Sequence, residues 1–309
     1  MDILGQPQVL HYLAEGLKRE IISPSLLFAG PEGVGKKLCA LEVAKCFACE
    51  KPDGGPGALP RCGRCRACVQ VAGNNHADVL LLDRTLQATL LKEKPESQNA
   101  IKIDSIRYLD KFLSLKPLDS RRRVALIDDA HKLTTDAANS LLKLLEEPPN
   151  KAQIILIATD EHSLPPTVVS RCAVLRFRPI PVKIIADWLD REHAVSESKA
   201  MDVADRAGGS FQKALSLKDE DRATTELSDY TLDEFFAMLA GTNWRKEGRK
   251  QAESAVTNLI ESSQRKLEGG DLNQAGRLTA LLAARKQIDR NVPVKLVLEA
   301  LYVKLEGTK

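Results

Sequence analysis

The sequence predicts an α/β domain built on a parallel sheet, followed by purely helical C-terminal domains. Up to residue 178, short apolar runs of strand length alternate with segments whose apolar residues recur at helical spacing. Strands separated by helices are typical of a parallel sheet covered on both faces. A Gly-rich loop and a cluster of cysteines within this region are the two local features that indicate chemistry.

Five apolar runs predict the strands of this sheet. They are Leu26–Ala29, Val79–Leu82, Val124–Ile127, Ile154–Ala158 and Val174–Phe177. Three of the intervening segments have the apolar spacing of helices: Lys36–Cys49, Ile103–Leu115 and Thr134–Glu146. Thr134 or Thr135 can cap the last of these helices, and Pro148-Pro149 prevents its continuation.

A stiff segment, Arg178-Pro179-Ile180-Pro181, predicts the first domain boundary. Every later segment has helical periodicity, and the polar stretch Lys218–Asp229 is a candidate linker between two helical domains. We therefore expect domains at residues 1–178, 179–228 and 229–309. The apolar stripe of the last domain, for example Leu278, Leu281, Leu282 and Ile288, fits either packing within the chain or contact with a partner.

Composition and charge exclude several classes of protein. The formal net charge of +3 is too small for a protein held on DNA by its global field. No apolar run approaches the ~20 residues of a membrane helix, and the N-terminus does not have the pattern of a signal peptide. We expect a cytoplasmic protein without a membrane partner. Its seven cysteines should be reduced there, so clustered cysteines favour metal over disulfides.

The segment from Gly30 to Lys37 has the context of a phosphate-binding loop, because it follows a strand and opens a helix. Glycines let backbone N–H groups surround an anion, and a lysine can reach the outer phosphates. Gly30, Gly35 and Lys36 fit three fixed positions of the motif G-x-x-x-x-G-K-[ST], and Gly33 adds freedom to the loop. At the fourth position Lys37 replaces the hydroxyl that would bind Mg²⁺. A Gly-rich turn that only packs strand against helix is the alternative.

The end of the strand Val124–Ile127 should complete such a site. Asp128 is positioned to hold a metal through water, whereas a hydrolytic enzyme would have a glutamate next, to orient the attacking water. Asp129 is shorter by one methylene, about 1.5 Å of reach at a site that tolerates little misplacement. The sequence thus predicts a degenerate ATP site in which ATP binding is possible and hydrolysis is weakened.

Four cysteines predict a structural zinc site in a module spanning residues 49–68. Cys62, Cys65 and Cys68 form two overlapping C-x-x-C turns, and Cys49 can supply a fourth ligand across a Gly/Pro-rich loop. Four thiolates suit closed tetrahedral Zn²⁺. An iron–sulfur cluster is the rival, although the further Cys and the Cys-Pro pair of ferredoxin segments do not occur here. Free thiols are the remaining alternative.

The order of these motifs resembles the bacterial DNA polymerase III clamp-loader family of AAA+ proteins. The resemblance is carried by the phosphate loop, the cysteine insertion, the segment Thr134–Pro149 with its L-L-K-L-L-E-E-P-P sequence, and Ser170-Arg171-Cys172. It implies an AAA+ domain with a zinc-binding insertion, then a small helical lid domain and an all-helical collar that forms a ring. By resemblance, Arg171 is an arginine finger that acts in trans on the ATP of a neighbouring subunit.

Two kinds of subunit in this family compete. The motor subunit, gamma/tau, has an intact phosphate loop, whereas another member is degenerate at its ATP site. Lys37, Asp129 and Gln212 all depart from the motor pattern, since the motor has an arginine in place of Gln212. These departures favour the degenerate member, which has no ATPase of its own.

The resemblance also implies partners. They are the gamma/tau and delta subunits, the sliding clamp, and primer–template DNA reached through the assembled complex. Two alternatives stay open: an active clamp-loader ATPase that tolerates Lys37, and a zinc-stabilised nucleic-acid-binding module. Arg121-Arg122-Arg123 is expected to be a solvated basic end of the third strand, with contact to a phosphate backbone as the other possibility.

Overall fold

The structure is a computed structural model, and it describes most of the first 219 residues. The described ranges there are 3–53, 55, 57–94 and 99–219. In the C-terminal part it describes helix Gln274–Asp289 and scattered positions: 256–257, 260, 263–264, 267, 292–293, 296–297 and 300–301. The chain divides into two compact units, Met1–Leu215 and Ser216–Lys309.

Five strands and nine helices make up most of the first unit, with further short turns of helix among the described residues. The strands are β1 (Ser25–Ala29), β2 (Val79–Leu82), β3 (Val124–Ile127), β4 (Gln153–Ala158) and β5 (Ala173–Arg176). The helices are α1 (Pro7–Lys18), α2 (Lys36–Ala48), α3 (Arg66–Ala72), α4 (Arg84–Leu91), α5 (Ile103–Ser114), α6 (Thr135–Glu146), α7 (Pro166–Val169), α8 (Val182–His193) and α9 (Glu197–Arg206). Residues 211–219 are also helical.

The five strands form one parallel sheet in the order β2-β3-β4-β1-β5. Every residue of β1, β3 and β4 is buried, which explains why these strands are continuous apolar runs without alternation. Because all strands run in the same direction, their carboxyl ends meet at one edge of the sheet. The predicted parallel sheet with helices is thereby confirmed, and this edge carries the candidate site.

Helices α5 and α6 pack on the sheet through apolar stripes, and their ends have clear local causes. Ile106, Leu109 and Leu113 of α5 are fully buried beside Leu141 of α6 in one core cluster. The Thr134 hydroxyl caps α6 by accepting from the amide of Ala137, which confirms one of the two predicted caps. The apolar stripes, together with the residues that cap or end the helices, were sufficient to predict the positions of these two helices.

Three helices were not predicted: α1, α3 and α4. Helix α4 begins directly after β2, where the Asp83 side chain accepts from the amide of Leu86 as an N-cap. Helix α3 begins at the end of the cysteine module, and only seven residues form it. Helix α1 starts at Pro7, which is favourable at a first helical position. Short or weakly periodic helices of this kind are hard to separate from loops by apolar spacing.

The segment around the predicted boundary at residue 178 is tied to the sheet domain. The Gln6 side chain donates to the Arg178 carbonyl (2.6 Å) and accepts from the Arg178 amide (3.2 Å). The amide of Ile180 donates to the carbonyl of Gly209 at 2.9 Å. These contacts lie within the first compact unit, which continues to Leu215.

Part of the C-terminal prediction lies outside the described residues, including most of the polar stretch 218–229 and the start of the domain expected at 229–309. Within helix Gln274–Asp289, Leu281 and Ile288 are buried, whereas Leu282 is exposed. The lid and collar domains stay predictions. In the described portion of the chain, no helix has the length and apolar character needed to cross a membrane.

Candidate functional site

The phosphate-binding loop lies between β1 and α2, at the carboxyl edge of the sheet. Its backbone is constrained at two glycines. A Cβ on Gly30 would lie 2.3 Å from the carbonyl oxygen of Phe177, and a Cβ on Gly33 (φ +75°) would lie 2.0 Å from the Ser210 hydroxyl. The amide of Phe211 also donates to the Gly33 carbonyl at 2.9 Å. The start of the helical segment 211–219 therefore rests directly on the loop.

Lys36 lies across its own loop. Its ammonium donates to the carbonyl oxygens of Gly30 and Pro31, each at 2.5 Å, and the residue is buried. Burial lowers the pKa of Lys36, against the opposing effect of Glu32 and the aspartates that follow β3. A phosphate entering the loop would offer this lysine better acceptors than two carbonyls, so the residue remains suited to anion binding.

Lys37 occupies the position where the motif has a Ser or Thr, and its ammonium lies between two carboxylates. It is 3.0 Å from Asp128 Oδ2 and 3.8 Å from Asp83 Oδ2. Asp128 follows β3 and Asp83 follows β2, so the parallel sheet brings them to one edge. Asp83 was not identified as a site residue from the sequence, although its position directly after the predicted strand Val79–Leu82 could have indicated it.

Asp129 is held by cations of the same chain. Its Oδ2 accepts from Lys132 at 2.6 Å and from Arg84 at 3.4 Å. Burial alone would raise the pKa of Asp129, but the hydrogen bond and charge of Lys132 outweigh it and lower that pKa. The carboxylate is thus ionised but engaged, a poor arrangement for accepting a proton from water.

A cavity of about 540 Å³ opens beside these residues. That volume is within the usual range for a small-molecule site. Its polar side carries the phosphate loop and the aspartates, while Leu4, Trp188 and Phe211 supply apolar surface, with the Trp188 and Phe211 rings 4.8 Å apart. Gln212 and Thr159 also line it. The cavity can accept a nucleotide-sized ligand with its phosphates on the loop.

The four predicted cysteines come together in a second site. The sulfurs of Cys49, Cys62, Cys65 and Cys68 all lie within 4.8 Å of one another. The sulfur of Cys49 is 3.6 Å from that of Cys62 and 4.0 Å from that of Cys65. His76 is not a member of this group; its Nδ1 accepts from the amide of Asp78.

Backbone amides donate to two of the cysteine sulfurs. The amides of Cys62 and Cys65 donate to the sulfurs of Cys49 and Cys62, each at 3.3 Å. Hydrogen bonds from the backbone of Arg64 and Cys65 lower the pKa of Cys62 to about 6. This donor set and its N–H···S contacts fit a tetrahedral metal ion such as zinc. Burial raises the pKa of Cys49 and of Cys68 within the group. It also raises the pKa of Cys46 and of Cys172, which lie outside the group, to about 12.

Arg171 lies in the turn between α7 and β5, and its side chain is about one-third exposed (32%). Its Nε donates to Glu146 Oε1 at 2.6 Å, and Nη1 donates to the Thr167 carbonyl at 2.9 Å. Nη2 also contacts Glu146. Glu146 is the last residue of α6, within the motif that precedes Pro148-Pro149. The guanidinium is oriented rather than freely solvated.

The basic run before β3 is solvated only in part: Arg121 is exposed, whereas the expectation of a solvated end was wrong for Arg123. Arg123 is only 5% exposed and lies 3.6 Å from buried Asp78. Arg121 donates to the carbonyl of Cys46, and Arg122 stacks over the Phe47 ring. Aromatic neighbours and a buried carboxylate compete successfully with water for Arg122 and Arg123.

Comparison with known proteins shows that the chain is similar to DNA polymerase III subunits. Residues 5–181 match the family described as DNA polymerase III, delta subunit. DNA polymerase III subunit tau of Escherichia coli is 34% identical over 224 residues, covering 71% of this chain and 32% of the relative. Subunit delta′ of Bacillus subtilis is 34% identical over 184 residues, covering 60% of this chain and 51% of the relative. The chain thus spans about a third to a half of the length of these relatives.

Among solved structures, a DNA polymerase III gamma subunit-related protein from Thermotoga maritima aligns over 97% of this chain and 99% of its own. The TM-score is 0.47 and the identity is 19%. The Holliday junction branch migration motor RuvB of the same organism gives a TM-score of 0.47 at 16% identity, over 84% of this chain and 77% of its own.

The fold and the loop at its carboxyl edge define a protein of the phosphate-loop class with a parallel sheet. Within that class, the chain belongs to the DNA polymerase III delta-subunit family, since the family match covers more than half of its residues. The resemblance to clamp-loader subunits is confirmed at this level. Relatives named tau and delta′ match at the same identity, so the comparisons do not distinguish between subunits.

Proposed function

We propose that this chain is the delta prime subunit of a bacterial DNA polymerase III clamp loader. In this role it is a scaffold and arginine-finger donor for ATP-dependent loading of a sliding clamp onto primed DNA. The observation that carries the proposal is the state of Asp129, which accepts from Lys132 at 2.6 Å and from Arg84. A carboxylate paired in this way does not activate water, so this chain would leave hydrolysis to its neighbours.

Two further residues support a non-hydrolysing subunit. Lys37 stands where a hydroxyl would hold Mg²⁺, and its ammonium instead pairs with Asp128. Gln212 lines the cavity where the motor subunits of this family are expected to have an arginine. A neutral amide cannot supply the positive charge that stabilises a transferring phosphoryl group. Three replacements around one cavity argue against turnover more strongly than any one alone.

Arg171 would act on the ATP of an adjacent gamma/tau subunit. A guanidinium suits this task because it stays charged and its planar fork can bind two phosphate oxygens. The side chain is partly exposed, and Glu146 and the Thr167 carbonyl already fix its direction. Such restraint reduces the entropy lost when the guanidinium meets a phosphate. The cysteine module would hold structural zinc, with Cys49, Cys62, Cys65 and Cys68 as its ligands.

The remaining partners follow from this role. Delta would complete the ring with the gamma/tau subunits, the helical regions at 179–228 and 229–309 would serve as lid and collar, and the assembled complex would contact the clamp and primer–template DNA. An active gamma/tau-type ATPase is the second candidate, supported by a tau relative whose match covers 71% of this chain. A separate nucleic-acid-binding module has less support, because Arg123 is buried against Asp78 rather than available to phosphates.

Reconstitution tests the proposal directly. The full chain is mixed with gamma and delta subunits from the same source, and the products are separated by size and weighed by native mass spectrometry. We expect a stable complex that contains one copy of this chain together with both partners. If the chain replaces gamma in the complex, or forms no complex with gamma and delta, the delta prime role is wrong.

A further inference from the structure

Magnesium, which phosphate-loop proteins generally use with their nucleotide, does not fit the residues at this site. The position that would contribute a hydroxyl ligand carries Lys37, and its ammonium is 3.0 Å from Asp128 Oδ2 and 3.8 Å from Asp83 Oδ2. Both carboxylates are mostly shielded from solvent, with side chains 23% exposed. A cation of the chain is therefore already present among the oxygens that would attract a divalent ion.

The two carboxylates are positioned to hold this lysine. Asp83 uses Oδ1 to cap α4 through the amide of Leu86, at 3.0 Å, and directs Oδ2 to Lys37. Asp128 uses Oδ1 to accept from the amide of Asp129, at 3.1 Å, and also directs Oδ2 to Lys37. In each case the backbone fixes one oxygen, which leaves the other for the ammonium.

The third aspartate at this edge offers no alternative site for a metal. Asp129 Oδ2 is engaged by Lys132 and Arg84. A divalent ion placed beside Asp128 would lie next to the Lys37 ammonium, and like charges at such a distance repel strongly in a partly desolvated site. The loop itself keeps what a phosphate requires, namely Lys36 and the N–H groups that open α2.

We propose that Lys37 replaces the divalent cation, so that the cavity binds a nucleoside di- or triphosphate in its metal-free form. The inference rests on the proposed loss of hydrolysis at this site, because a site that binds no metal lacks the contribution of the metal to hydrolysis. Lys36 would bind the phosphates from the loop side, and Lys37 would approach them from the side of Asp83 and Asp128. The apolar surface of Trp188 and Phe211 would accept the base.

This arrangement reverses the usual effect of magnesium on the affinity for nucleotide. Added Mg²⁺ converts free ATP to its magnesium complex, which this site discriminates against, so mass action should weaken the apparent affinity. We expect the dissociation constant of the wild-type chain for ATP to rise by about tenfold or more between EDTA and millimolar Mg²⁺. A conventional phosphate-loop site would show the opposite change.

The test is isothermal titration of the full chain with ATP and with ADP, each in EDTA and in excess Mg²⁺. Lys37→Thr restores the hydroxyl and frees both carboxylates, so it should bind ATP more tightly with Mg²⁺ than with EDTA. Lys199→Thr, which removes an exposed lysine on α9, is the matched control and should behave as wild type. Manganese resonance spectra in the presence of ADP should show bound Mn²⁺ for Lys37→Thr and none for wild type.

Tighter wild-type binding in Mg²⁺ than in EDTA would overturn the inference, as would no wild-type binding in either. Those results leave the proposed function standing, since a delta prime subunit need not bind nucleotide. Steady ATP turnover by the wild-type chain would instead overturn the proposed function. If Lys37→Thr does not fold, as judged by circular dichroism, the wild-type comparison decides by itself.

Discussion

Arg171 and Glu146 form an ion pair in which the Arg171 Nε donates to Glu146 Oε1 across 2.6 Å. The pair joins two motifs that are 25 residues apart in the chain, the Ser-Arg-Cys turn and the end of α6. Because Nη1 also donates to Thr167, the guanidinium has a defined direction in the isolated chain. A finger for a neighbouring subunit would then be prepared before the ring assembles.

Replacing Arg171 with alanine should slow ATP hydrolysis by the assembled complex without changing the fold of this chain. We expect the clamp-stimulated ATPase of a reconstituted complex to fall, because a finger is worth about 10³–10⁵ in rate at its own site. The whole complex should lose less, since its other sites keep their own fingers. Arg176→Ala is the control, because Arg176 is also an exposed arginine paired with a glutamate, Glu161. Equal rates for wild type and Arg171→Ala, with equal assembly, would contradict the assignment.

The pure protein should contain one zinc ion per chain. Four sulfurs within 4.8 Å, with amides donating to two of them, match the needs of a closed tetrahedral site. Elemental analysis should find zinc and no iron, and Cys65→Ser should lose most of it. Cys172→Ser should keep the zinc, because Cys172 lies outside the cluster. A metal-free wild-type protein prepared without chelator would show the assignment to be wrong.

Hydrolysis of ATP by the isolated chain should be negligible. The Asp129 carboxylate is engaged by Lys132 and Arg84, and Lys37, which stands where a hydroxyl would bind Mg²⁺, pairs with Asp128. A steady turnover of about 1 s⁻¹ or more, the lower end of ordinary enzymes, would contradict this expectation. Phosphate release should be compared with that of Lys36→Ala, which removes the phosphate-binding lysine. Any activity that survives in that variant comes from a contaminating enzyme.

Asp78 is the anchor of the loop that leads into β3, and removing its charge should destabilise the first unit. Its carboxylate accepts from the amides of Leu118, Asp119 and Ser120 and lies 3.6 Å from Arg123. Asp78→Asn leaves the buried arginine uncompensated, so we expect a loss of about 3 kcal/mol in the free energy of unfolding. Urea denaturation measures it. Asp119→Asn, at an exposed position, should change stability by less than about 0.5 kcal/mol.

The same carboxylate makes stability depend on pH. Burial alone would raise the pKa of Asp78, but the hydrogen bonds from Leu118, Asp119 and Ser120 outweigh it and lower that pKa. A carboxyl with a lower pKa when folded stabilises the protein fully above its unfolded value, about 3.9, and loses that contribution as pH falls through the folded value. Unfolding experiments from pH 6 to pH 3 should show this loss in wild type and a smaller one in Asp78→Asn.

Much of the sheet was predictable, because strands buried on both faces are continuous apolar runs. All five predicted strands are present, with every end within one residue of its expected position. The amphipathic helices α5 and α6 were also predictable, because the apolar stripes that face the sheet recur at helical spacing. Helix α4 was not, because its start depends on a cap by Asp83 and its eight residues give too short a pattern.

The candidate sites were predictable where spacing alone brings residues together. Two C-x-x-C turns and a glycine loop are local, so the cysteine cluster and the phosphate loop could be located from the sequence. The partners of Lys37, Asp129 and Arg171 could not, because those contacts depend on strand order and on side-chain direction at the sheet edge. The burial of Arg123 was missed for a similar reason, since its partner Asp78 is distant in the chain.

Packing, as well as anion binding, requires a glycine at position 33 of the phosphate loop. A side chain there would strike the Ser210 hydroxyl at 2.0 Å and crowd Gln212, and its φ of +75° disfavours other residues. Replacement of this glycine would thus be harmful through packing alone, even in a descendant that never meets a nucleotide. In such a chain the glycine pattern would be retained because the helix and the loop must pack together, even after nucleotide binding had been lost.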